Sequence, residues 1–190
     1  MAYDPNDHLT IYHFGENVHK TENFTSSLAI FNRNATNLID FIRPNTATTV
    51  YTATNIAKAN TKGFEVNANY NFKINKFNQT FAIGYNFLED DILNQNKNLS
   101  RYSLNTLKHQ FITRFTSKFF KNIRQNIIYK HAERTIGTSY NVWDASVIID
   151  YKKISFIFTA NNIFDANYIE TGFVPMPPSA VLFGVRYGFY

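Results

Sequence analysis

Apolar and polar residues alternate along this chain with a period of two, the spacing that places successive side chains on opposite faces of a β-strand. Over Lys62 to Phe72, Phe64, Val66, Ala68, Tyr70 and Phe72 share one face, against Gly63, Glu65, Asn67, Asn69 and Asn71 on the other. Phe81, Ile83, Tyr85 and Phe87 follow, opposed by Thr80, Ala82, Gly84 and Asn86. Phe111, Phe115 and Phe119 then oppose Gln110, Arg114, Thr116 and Lys118, while Ile123, Ile127 and Tyr129 oppose Arg124, Asn126 and Lys130. The pattern continues with Trp143 to Tyr151 and Phe156 to Ala160, and ends on Val181, Phe183, Val185, Tyr187 and Phe189. Less regular runs at Leu9 to Val18, Phe24 to about Ile42 and from about Val50 bring the expectation to about nine strands in one antiparallel sheet.

The expected connections alternate in length. His19 to Asn23, Lys73 to Asn78, Phe120-Lys121 and Lys152-Lys153 are short; Arg43 to Thr49, Glu89 to Asn105, Thr135 to Tyr140 and Asn167 to Ser179 are longer and polar. Short turns at one end of a sheet and long loops at the other are the layout of outer-membrane barrels. A soluble β-sandwich also alternates, so periodicity leaves both architectures open. The aromatics favour the membrane wall, because Tyr70, Phe72, Phe87, Phe119, Trp143 and Tyr151 fall near strand ends, where interfacial girdles form. The fold class expected is therefore all-β: an antiparallel transmembrane barrel segment, open and curved if these strands are too few to close around a lumen.

Composition sharpens this. Aromatic residues make up 17% of the 190, with Phe at 19 and Tyr at 12, and charged residues only 17%, below the quarter usual for soluble domains. A negative mean hydropathy with so few charges means that Asn, Thr and Ser carry the polarity. The net charge of +5 is spread singly, Lys152-Lys153 being the one adjacent basic pair, which argues against nucleic acid as a partner. Zero cysteines exclude disulfides and thiolate metal sites. No apolar run is long enough for a membrane helix, and the first residues lack a signal-peptide pattern, so a membrane destination implies a longer exported protein.

Specific chemistry is sparse. His8, His13, His19, His109 and His131 give no closed set of metal ligands by spacing, and Glu89-Asp90-Asp91 lacks the glycine and later glutamate of a calcium loop. Four Asn-x-Ser/Thr sequons beginning at Asn23, Asn34, Asn78 and Asn98 are expected by chance in such a chain. No nucleophile elbow or phosphate-binding glycine loop is present, so no catalytic residue, metal site or cofactor is expected and the chain reads as a non-enzyme. Glu65, Arg114, Arg124, Lys130 and Arg186 are the candidate lumen-facing charges.

Three ordered stretches resemble the TonB-dependent outer-membrane receptors. Leu28-Ala-Ile-Phe-Asn-Arg33 followed by Asn37-Leu-Ile-Asp40 resembles that family's aromatic-rich strand ending in "N-L-I". Asn55-Ile-Ala-Lys-Ala-Asn-Thr-Lys-Gly63-Phe-Glu65 is similar to its "N-x-x-x-A-x-T-x-G-x-E". Ala160-Asn-Asn-Ile-Phe-Asp165, Tyr168, Pro175-Met-Pro177, Gly184 and Phe189 resemble its closing segment, with Pro178-Ser179 standing where the family usually has Gly-Arg; Arg101-Tyr-Ser-Leu104 and Lys108-His109 add to the match. The resemblance implies that residues 1–190 are the C-terminal portion of a receptor barrel, with the plug domain and N-terminal barrel strands absent. It implies energised import of a scarce, bulky nutrient such as an iron-siderophore, haem or cobalamin, with the TonB system acting through that plug. Outer-membrane lipid would surround the wall. The alternating Phe183, Val185, Tyr187 and Phe189 resemble the signal read by the barrel-assembly machinery. A complete small barrel acting as adhesin or pore, and a soluble β-sandwich binding module, are the competing expectations; the first requires the outermost strands to pair with each other.

Overall fold

The computed structural model describes residues 9–43, 50–92, 99–100, 107–135, 137–171 and 174–189. Nine long strands carry the fold: β1 (Leu9–Lys20), β2 (Phe24–Arg43), β3 (Thr52–Ile74), β4 (Phe77–Ile92), β6 (Leu107–Phe120), β7 (Ile123–Arg134), β8 (Ser139–Tyr151), β9 (Ile154–Asn161) and β12 (Ala180–Tyr187). Three short pieces complete it, β5 (Leu99–Ser100), β10 (Ile169–Thr171) and β11 (Val174–Pro175). Each long strand pairs antiparallel with its successor in the order β1-β2-β3-β4-β6-β7-β8-β9-β12. β5 adds to β2, and β10 and β11 pair with each other. β1 and β12 lie at opposite ends of this path, so the sheet is open, and the closure required by a complete small barrel is not present among the described residues.

The register turns sequence alternation into two continuous faces. Phe64 lies opposite Phe87, which lies opposite His109; Tyr70 lies opposite Phe81, which lies opposite Phe115 and, beyond it, Ile127 and Ala145. Every aromatic of the β3 pattern thereby joins one face. On it the rings form a chain near the long-loop end: Phe64 to Phe87 (5.6 Å), Phe87 to His109 (5.1 Å), Phe111 to Tyr129 (6.3 Å), Tyr129 to Trp143 (4.7 Å) and Trp143 to Phe164 (6.3 Å). Near the short-turn end Tyr70 stacks on Phe72 and Phe158 packs on Phe183. From Phe64 to Phe72 the strand runs roughly 26 Å, about 20 Å once a barrel tilt of about 40° is allowed for, close to the apolar band of an outer-membrane barrel.

Beyond Phe64 the same face turns polar, with Lys62 opposite Glu89 and Asn60 opposite Asp91. This explains why β4 outlasts its sequence pattern. Glu89 to Asp91, expected in a loop, continue the ladder to Ile92 because both faces meet a polar medium there and alternation no longer marks the strand. β8 likewise starts at Ser139, inside the expected Thr135–Tyr140 loop. The bend expected at Pro44 lies outside the described residues.

Buried side chains concentrate on the opposite, polar face near the long-loop end, where Ala132, Tyr140 and Val142 pack with Leu107, Ala166 and Tyr168. A second dense spot lies on β2–β4, where Ala35, Ala59, Thr61 and Gly63 are buried.

Candidate functional site

The polar face is a mosaic of short hydrogen-bonded ladders. Thr80 donates to Asn71 (2.7 Å), Asn86 Nδ2 to Gln110 (3.2 Å) and Thr116 to Asn126 (2.9 Å), each pair bridging neighbouring strands. Register places all five sequence-nominated charges, Glu65, Arg114, Arg124, Lys130 and Arg186, on this face, but they do not gather into one site. Glu65 is exposed at mid-sheet. Arg114 borders a depression of about 200 Å³ with Asn67, Asn69, Gly84, Asn86 and Gln110. Near the short turns, Arg124 pairs with Asp150 (3.0 Å), Asp150 accepts from Ser155 (2.7 Å), and Ser155 accepts from Arg186 (3.3 Å), so one relay joins β7, β8, β9 and β12.

Lys130 belongs to a third group, at the long-loop end. The connection from β9 to β12 folds back over the polar face, and its Glu170 carboxylate accepts from Lys130 Nζ and from the Tyr140 hydroxyl (3.0 Å). The Arg134 guanidinium donates to the Glu170 carbonyl. Tyr168 packs on Tyr140 at 4.6 Å, and Met176 N–H returns to the Tyr168 carbonyl (2.9 Å), holding the loop as a folded strap. Sequence reading missed Glu170, Tyr140, Tyr168 and Arg134. The available signal is a lone carboxylate preceded by Tyr168 and Ile169, within the polar connection Asn167 to Ser179.

Asn162 sets the strap's base. It is almost wholly buried and adopts φ 49°, a left-handed conformation that asparagine tolerates better than most residues. Its side chain donates to the carbonyls of Ala166 (2.9 Å) and Pro177 (3.4 Å) and accepts from Ala166 N–H (2.8 Å), while its own N–H donates to Asp144 (2.8 Å). Asp165 then accepts from Ser179 N–H (2.8 Å), so both arms are tied. Asn162→Ala should destabilise the strap by about 2–4 kcal/mol, the sum of lost hydrogen bonds of about 1 kcal/mol each and the left-handed penalty. Limited proteolysis should show new cleavage between residues 163 and 179 with the long strands still resistant; unchanged cleavage would remove Asn162 from this role.

Partial burial pushes the Glu170 carboxyl up, but hydrogen bonds from Lys130 and Tyr140 and the charges of Lys130 and Arg134 outweigh it and hold the pKa below the ordinary 4.5. A depressed carboxyl contributes stability above its unfolded value and loses it as pH falls through the folded one. Strap retention should therefore be constant from neutrality to about pH 5 and fall only at more acidic pH. Hydrogen exchange at the Met176 N–H, which donates to the Tyr168 carbonyl (2.9 Å), provides the readout. Its protection factor should fall in the acid range in the parent chain and stay constant over that range in Glu170→Gln.

On the aromatic face, His109 Nδ1 meets the Tyr85 hydroxyl (2.8 Å) and His131 Nδ1 meets Asn141 (2.9 Å), while His19 packs near Phe24. His8 lies outside the described residues, as does the side chain of His13. Among the described residues no group of three or more His, Cys, Asp or Glu side chains could hold a metal ion. Phe183, Val185, Tyr187 and Phe189 all stand exposed at the β12 edge, the first three on the aromatic face.

Residues 17–163 match the family described as TonB dependent receptor-like, beta-barrel. The FrpB iron transporter of Neisseria meningitidis superposes with a TM-score of 0.68 at 15% identity, over 90% of this chain and 30% of that one. The siderophore receptor PiuA of Acinetobacter baumannii gives 0.63 at 16% identity, over 87% and 26%. The ferric-catecholate import receptor Fiu of E. coli gives 0.63 at 18% identity, over 88% and 26%. The chain thus spans about a third or less of the length of these structures. No curated protein matches it at a significant level. The antiparallel nine-strand sheet, its two opposed faces and this match over most of its length make the chain a member of the TonB-dependent receptor β-barrel family.

Proposed function

We propose that the chain forms the C-terminal part of the barrel wall of an outer-membrane, TonB-dependent importer of iron chelates. The reading rests above all on the two-faced sheet: an aromatic face about as tall as a membrane's apolar band, backed by a hydrated face rich in Asn, Thr and separated charges. Its fold-level likeness to two receptors named for siderophore or ferric-catecholate import, and to one named an iron transporter, is what suggests iron chelates as the cargo to test first. On this reading the four short turns face the periplasm and the longer connections face outward. A plug and the remaining strands belong to a longer protein, and TonB acts through that plug. Glu65, Arg114, Arg124, Lys130 and Arg186 line the lumen. Phe183, Val185, Tyr187 and Phe189 present the assembly signal, and outer-membrane lipid contacts the aromatic face. The chain's part is structural, and no enzymatic step is assigned to it.

The test is uptake of radioactive iron, supplied as ferric citrate or a ferric catecholate, by cells with and without the gene that contains this chain. Accumulation that needs both the gene and TonB is expected. Uptake of haem or cobalamin instead, with no iron-chelate uptake, would overturn the assigned cargo; gene-dependent uptake that persists without TonB would overturn the mechanism.

A further inference from the structure

We propose that Lys130, Arg134 and Tyr140 form an anion seat on the lumenal wall, that Glu170 occupies it as a built-in carboxylate, and that a multiply anionic chelate displaces Glu170 and frees the strap. The proposal deepens the import reading above and rests on it for the identity of the natural anion. The geometry carries it. Two cationic side chains two β-repeats apart, at i and i+4 on β7, point to the same face, and the phenol of Tyr140 on β8 joins them. Lys130 and Tyr140 converge on one carboxylate oxygen, Glu170 Oε1, and Arg134 reaches the adjoining main-chain carbonyl. Such a constellation is what recognises a carboxylate or catecholate oxygen, since charge-assisted donors to one oxygen are roughly twice as strong as neutral ones.

The occupant is supplied by a segment that can leave. β10 and β11 pair only with each other, whereas every long strand is held in the main sheet. The strap's ends are fixed by Asn162 and Asp165, so releasing Glu170 would let its middle swing while its base stays tied. Tyr168, packed against Tyr140 with ring centroids 4.6 Å apart, must move with it. Arg124 differs: its partner Asp150 is carried by β8 of the main sheet, not by a connection, so that carboxylate cannot be carried away by movement of a loop.

The experiment uses the intact chain in detergent micelles, with citrate and ferric citrate as probes, calorimetry for affinity and the single tryptophan, Trp143, as the check that the strap base stays in place. Glu170→Gln keeps a side chain that can accept from Tyr140 but removes the competing charge. It should bind citrate about tenfold or more tighter than the parent, the worth of one charge-assisted hydrogen bond. Adding Lys130→Gln to it should remove that gain, and Lys130→Arg should keep it. A gain of affinity is not the signature of damaged folding, so the direction separates competition from disruption. Equal citrate affinity in parent and Glu170→Gln, or a gain that survives Lys130→Gln, overturns the seat. If the order holds for citrate while ferric citrate binds no variant, the seat stands and the iron-chelate reading falls.

Discussion

Gly63→Val is expected to abolish recovery of the folded chain. A Cβ at Gly63 would stand 2.5 Å from the Phe87 carbonyl oxygen and 2.7 Å from the Phe31 ring, with a Leu88 methyl at 3.1 Å. The first contact is with main chain in the paired strand, which cannot yield without breaking the β3–β4 ladder at Gly63 and Leu88. The second is with an aromatic ring on β2 that lies across the glycine and covers it, on the strand paired to the other side of β3. The residue is therefore clamped from both neighbours, in a buried patch with Ala35, Ala59 and Thr61. Overpacking a dense site ordinarily costs about 1–3 kcal/mol, and a clash with main chain places this one at or above the top of that range. Even Gly63→Ala should lower the yield, and Gly63→Ala with Phe31→Leu should recover part of it by shortening the covering side chain. The check is the fraction of outer-membrane material that resists protease and migrates as a folded band before heating. Normal recovery of Gly63→Val would show that β2 and β4 can shift apart here, against the geometry of both ladders.

That glycine shows how far the sequence could be read. Its place in the Asn55 to Glu65 stretch carried the family resemblance, and alternation put it on the polar face, yet neither revealed that Phe31 closes over it. Alternation follows from two different media on the two sides of one strand, so it was legible wherever Phe64 to Phe72 or Phe81 to Phe87 face an apolar band on one side and polar groups on the other. It vanishes at Glu89 to Asp91, where both sides are polar, and there pattern alone does not separate strand from loop. The five nominated charges lie on the polar face for the same reason, but their partners do not follow from period. Asp150 meets Arg124 and Ser155 meets Arg186 only through strand pairing, and Glu170 reaches Lys130 across 40 residues through the fold of a loop. Contacts between elements depend on register and loop path, which short-range pattern does not encode.

The two-faced reading itself predicts a large asymmetry between adjacent positions. Ala68 lies on the aromatic face opposite Ile83, in the middle of the apolar band between Phe64 and Phe72. Asn67, the residue before it, lies on the polar face opposite Gly84, beside the depression that Arg114 borders. Ala68→Arg should cost about 2–4 kcal/mol, the penalty of a guanidinium at the centre of a lipid-facing band, while Asn67→Arg should cost under about 1 kcal/mol if that face meets a hydrated lumen. Glu65 on the same polar face offers the new cation at Asn67 a countercharge, which keeps that cost low. Urea titration in phospholipid vesicles, following protection from protease, measures both. The difference, about 1 kcal/mol or more, corresponds to roughly fivefold or more in the folded-to-unfolded ratio. A soluble sandwich would give a different result in the same pair: burying arginine in a dry core would destroy folding in detergent-free buffer, whereas vesicles would bring no rescue. Equal costs at the two positions would mean that neither face contacts lipid, and the membrane-wall reading would fail with them.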